Sequence, residues 1–145
     1  MGLAEIQNQI NAINDKADLI KVFYQALDTL IDKAEAKLLE LKATNISVST
    51  YKMQLSMAKS VNMMLPINTF IETIYMPYRD EILDQDIAYF RKLDIESVAG
   101  SDVKGDALSV SMLVKDIPDK DVQFVFHYLS IMVTAIDRYV VLSQM

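Results

Sequence analysis

The sequence predicts an all-α protein, a bundle of four to five helices led by a long N-terminal heptad-patterned helix. Three observations carry that prediction. From Leu3 the apolar residues step by three and four through Ile6, Ile10, Ile13, Ala17, Ile20, Tyr24, Leu27, Ile31, Ala34, Leu38 and Leu41 without a miss, the signature of one helical face. Only three glycines and three prolines punctuate 145 residues, too few for many short strands. From Val122 to Leu142 about two thirds of the helical circumference is apolar, as in a helix enclosed by neighbours.

The chain is 52% hydrophobic and 23% charged, a folding composition of one-domain length. Residues 1–145 therefore read as a single helical domain. The net charge of −6 argues against a main task of gripping phosphate backbones, so no nucleic-acid partner is expected. Cysteine is absent, which removes disulfides, thiolate metal ligands and cysteine nucleophiles. The N-terminus lacks the basic and apolar regions of a secretory signal. Polar residues interrupt Val122–Leu142 at Gln123, His127, Ser130, Thr134, Asp137 and Arg138, a pattern unsuited to a membrane span.

Along the first helix the stripe changes width. Before Ala17 only the seam is apolar, with Gln7, Asn8, Gln9, Asn11 and Asn14 around it. Further on, Leu19, Phe23, Ala26 and Leu30 add a second row. A narrow seam suits contact with one helix and a wide face suits a core. Residues 1–15 therefore read as a projecting arm whose Leu3, Ile6, Ile10 and Ile13 await a partner, or fold back on the domain. Asn14 or Asp15 could cap a second helix after a break, but the unbroken stripe favours continuity.

A second helix is expected over about Ser49–Leu65, ended by Pro66. Its stripe contains Met53, Met57 and Met64. Thioethers repack around varied partners, so this is either an adaptable binding face or, more commonly, core filler. The next helix is expected to open at "TFIE", with Thr69 and Glu72 as a capping box, and to run kinked across Pro77 to about Leu93. The segment "DIESVAGSDVKGD" reads as a loop and residues 107–115 as a short helix. Pro118, Asp119 and Asp121 suit the start of the last helix.

The stretch "PYRDEILDQDIAYF" concentrates acids. Helical phase puts Asp80, Glu81 and Asp84 on the solvated side. Asp86 falls in the apolar arc between Ile82 and Phe90, on the same side as Arg79. A buried carboxylate needs a cationic partner, so Asp86 and Arg79 are expected to be buried polar residues, with Arg79 or Arg138 pairing the acid. No catalytic, cofactor-binding or metal-ligating set stands out. A di-iron bundle needs several inward Glu and Glu-x-x-His pairs, whereas His127 is the single histidine. It suits a partly wet polar strip better than a general base.

At "MPYRDEILDQDIAYF" and "DKDVQFVFHYLSIMV" the chain resembles small helical proteins of nucleocytoplasmic large DNA viruses. The positions carrying the resemblance are Pro77, Tyr78, Arg79, Ile82, Asp86, Phe90, Phe126, Tyr128 and Leu129, within residues 66–145. The resemblance implies a virus-encoded protein built into the particle, located in the virion or host cytoplasm, and implies no activity. Together with the seam it leads to a non-enzymatic structural or assembly protein without cofactor, such as a minor capsid component. Its expected partners are copies of itself or other structural proteins. The alternatives are an adaptor presenting its methionine face and, last, a small hydrolase built on His127.

Overall fold

The N-terminal stripe does not run as one rod. In the computed structural model, which describes residues 2–40, 48–86, 88–89 and 119–144, helix α1 spans Leu3–Asn11 and α2 spans Lys16–Glu40. Between them the chain turns, with the Ala12 and Ile13 amides donating to the Gln9 and Ile10 carbonyls. Asp15 caps α2, its Oδ1 accepting from the Ala17 amide at 2.8 Å. Arg138 clamps the turn by donating from Nε to the Ile13 carbonyl at 2.8 Å and from Nη2 to Asn14 Oδ1 at 2.7 Å. The expected continuous helix is thus corrected, and the physical reason is tertiary. A straight rod from Leu3 to Glu40 would be roughly 57 Å long against roughly 38 Å for the C-terminal helix that it packs on. Folding back buries the seam that the extra length would leave in water.

Helix α3 spans Val48–Val61. Asn62 then turns the chain, its Oδ1 accepting from the Met64 amide at 2.9 Å. Helix α4 spans Leu65–Phe70, a π-helical stretch covers Ile71–Tyr75, and α5 spans Met76–Leu83. These three form one rod. Pro66 opens α4 and does not end α3, because a proline in a first turn lacks only an amide that would have no partner. Thr69 lies inside α4 with its hydroxyl on the Leu65 carbonyl at 3.0 Å, so it caps nothing. The rod does cross Pro77 as expected. The π stretch lies immediately before the proline, where the helical ladder must absorb a missing donor.

The rod stops at Leu83, ten residues before the expected end. The Asp86 amide donates to the Glu81 carbonyl and the Gln85 amide to the Ile82 carbonyl, both at 3.0 Å, with Gln85 at φ 53°. This is a Schellman stop with a glutamine where glycine is usual. A side chain in this left-handed region is strained. Gln85→Gly is therefore expected to stabilise the protein by about 0.5–1 kcal/mol in urea unfolding.

The last helix, α6, spans Asp119–Ser143. It packs along α2 for most of its length, with α1 and α5 against its other sides. Val122, Val125, Phe126, Leu129, Met132 and Val133 are essentially sealed from solvent. α3 lies outside this core and touches α2 and α4. The second row predicted on α2 is buried throughout, at Leu19, Phe23, Ala26 and Leu30. No strand occurs among the described residues, which form five helical rods. The expected loop at 94–106 and short helix at 107–115 lie outside the described residues. By length and composition Val122–Ser143 could cross a membrane, and 56% of the 18-residue stretch within it that passes this test is buried in the bundle. Burial in a protein core demands the same apolar composition.

Candidate functional site

The N-terminal seam is turned inward. Ile10 is buried, and Leu3, Ile6 and Ile13 pack against the common core. Gln7 adds a 3.2 Å hydrogen bond from Nε2 to Thr134 Oγ1 on α6. Helix α1 is therefore not a projecting arm in this structure, and it packs along α6. An open groove of about 440 Å³ remains between α1, α2 and α6, lined by Ile6, Ile13, Val22, Tyr128 and Ile131 among others.

The methionine face divides. Met53 and Met57 are 59% and 62% exposed, and Val61, one turn further on, is 81% exposed. These three stand at i, i+4 and i+8 on α3 and form a single stripe. Met64 lies beyond the Asn62 turn and packs on the core. α3 is held to α2 on its other side by charge. Lys52 Nζ lies 3.1 Å from Asp32 and 2.9 Å from Glu35, and hydrogen bonds to Glu35 and Asp32 raise the pKa of its ammonium. Lys59 stands 4.2 Å over the Tyr24 ring. Tyr24 donates its hydroxyl to the Met63 carbonyl, and burial followed by the Asp28 charge pushes its pKa up to about 12. The inner side of α3 is thus anchored while the outer stripe faces solvent.

Asp86 is exposed and accepts the Tyr89 amide at 3.0 Å, which corrects its expected burial. The αL turn at Gln85 breaks the helical phase that placed it in the apolar arc. Arg79 is half-buried and grips Asp137 on α6, with Nε to Oδ1 at 3.0 Å and Nη2 to Oδ2 at 2.8 Å. It also reaches the exposed Asp80 at 2.9 Å. Tyr75 donates to Asp137 Oδ1 from the π stretch, and burial first, then Asp137, raises its pKa to about 12. The hydrogen bond to Asp137 likewise holds the Arg79 pKa above its ordinary value. Sequence reasoning marked Arg79 and placed Asp137 on the polar strip, but missed Tyr75. The i, i+4 spacing of Tyr75 and Arg79, which puts both on one face, was the available signal.

The polar strip of α6 is drier than expected. Ser130 is fully buried with its hydroxyl 3.4 Å from the Ile82 carbonyl, and buried Thr134 donates to the Ser130 carbonyl at 2.8 Å. His127 is half-buried with its ring edge-on to Tyr128 at 4.9 Å. Among the described residues no three His, Asp or Glu side chains cluster as metal ligands. The Tyr75–Arg79–Asp137 group can hold two rods together, and the outer α3 stripe can bury apolar area. No family model, curated protein or solved structure matches the chain.

Proposed function

We propose that this is a non-enzymatic protein acting through helix–helix association, and that the outer face of α3 is the surface it offers. One observation carries this reading: Met53, Met57 and Val61 form an exposed apolar stripe on a helix whose opposite side is fastened to the bundle. An apolar stripe at this spacing suits an amphipathic helix laid alongside it, and thioethers adapt to its side chains. A place in a virus particle is the version of this function drawn from the sequence resemblance. Adaptor and assembly roles use the same face and differ in whether the partner is a second protein or another copy.

The double substitution Met53→Glu with Met57→Glu tests the reading. Association, followed by light scattering and by binding to proteins of the native source, is expected to fall at least about tenfold, since burying two charges opposes docking. Stability should change by less than about 0.5 kcal/mol, because both side chains already face water. Unchanged association would remove α3 as the functional face.

A further inference from the structure

The bend between α1 and α2 carries an inference that does not depend on the α3 face. The 3-4 stripe passes through the turn in phase, from Ile10 through Ile13 and Ala17 to Ile20, and neither glycine nor proline stands among residues 12–15. Locally, then, the sequence is suited to one straight helix, in which the amides after Ala12 would regain i→i−4 partners. The bend is held by polar contacts at the turn, namely the Asp15 cap and the two Arg138 bonds. The packing of α1 along α6, with the bond from Gln7 to Thr134, does not require that α6 belong to the same chain.

We propose that α1 is exchangeable between two copies of this chain. In the second state α1 and α2 straighten into one helix, and each α1 occupies on its partner's α6 the place that it holds on its own α6 in the monomer. The α1–α6 contacts are the same in both states. The dimer loses the turn contacts and gains helical hydrogen bonds across residues 12–18; the Leu19 amide already bonds the Asp15 carbonyl in the bent state. Exchange of an identical element is a low-cost route to a symmetric dimer for this reason. The strict seam and its bent conformation then have one explanation, because the seam must serve both a folded-back helix and a straight one.

Two substitutions move this equilibrium in opposite directions. Asp15→Ala removes the cap of the bent state and favours helix in the straight one. A cap is worth roughly a factor of five, and each dimer opens two hinges, so the association constant should rise about 25-fold in sedimentation equilibrium. Lys16→Pro places proline at the first position of α2, where the bent state accepts it. In a straight helix the same proline costs more than about a hundredfold per hinge, so dimer should vanish while the thermal melt stays cooperative. The parent has no cysteine, so Gln7→Cys with Thr134→Cys, oxidised in the dimer fraction, reports which chain supplies α1. Disulfide-linked dimers are expected. If Asp15→Ala stayed monomeric at every concentration, or if dimers carried the disulfide within each chain, exchange would be overturned. A dimer insensitive to Lys16→Pro would overturn it too and would point to the α3 stripe instead.

Discussion

Phe23→Ala is expected to cost about 3–5 kcal/mol, the range for deleting a fully buried aromatic ring. Phe23 is 1% exposed and sits where three rods converge. Its ring meets Phe70 of α4 edge-on at 5.2 Å between centroids. It also shares a small void with Leu19, Ile67, Ala135 and Ile136, so α6 closes the far side. Truncation therefore removes transfer free energy and an aromatic pair together, and it leaves a cavity that three separate backbones would have to move to fill. Domains of this size hold only about 5–15 kcal/mol in total, so the variant should unfold at distinctly lower urea with an unchanged denaturant slope. Met57→Ala on the outer face of α3 should change stability by less than about 0.5 kcal/mol. A loss below about 1.5 kcal/mol for Phe23→Ala would mean that α2, α4 and α6 do not meet as a packed core.

Phe23 was legible in the sequence as part of the second row on α2, and the reason is general. Periodicity records which face a helix buries, so α2 could be read with its buried side, and α6 too except that Ser130 and Thr134 of its polar strip are also buried. Periodicity does not record where a rod must end. The stripe does not distinguish a straight helix from a bend at Asn14, because it keeps phase there, and Asn14 and Asp15 permit a cap without requiring one. The decision belongs to the length of α6 and to Arg138, more than a hundred residues away. Pro66 is equally silent on direction, since proline fits both after one helix and in the first turn of the next. Gln85 stops α5 in the left-handed conformation without the glycine that announces such stops.

The same loss of phase separated the candidate residues. Met53, Met57 and Met64 share one stripe on paper, but the Asn62 turn ends α3 before Met64, which then joins the core. Leu3, Ile6, Ile10 and Ile13 were read as a narrow seam awaiting a partner, and in the structure they join or pack on the core of the same chain, where α1 meets α6. Arg79 was read as a buried candidate partner for Asp86, and in the structure it is half-buried and pairs with Asp137. The acid is Asp137 and not Asp86, because phase carried past Gln85 points the wrong way.

Asp137→Ala is expected to cost about 2–3 kcal/mol, and the margin over Asp86→Ala tests the corrected assignment. Asp137 accepts from Tyr75 and from two nitrogens of Arg79, so its removal strands a charged donor and a phenol together. Stranding a buried charge costs about 3–5 kcal/mol. The Arg79 and Asp137 side chains are 40% and 29% exposed, so water recovers part of that loss and the expectation drops towards the value for hydrogen bonds to charged groups. Arg79 would also keep Asp80 at 2.9 Å, an exposed pair of little worth. Among the described residues Asp86 is exposed and accepts the Tyr89 amide, so Asp86→Ala should lose no more than about 1 kcal/mol. In a double-mutant cycle with Arg79→Met, Asp137→Ala should show a coupling of about 1–2 kcal/mol, and Asp86→Ala should show none beyond about 0.3 kcal/mol. Equal losses for the two acids, or coupling of Arg79 to Asp86, would show that α5 and α6 are not joined through Asp137.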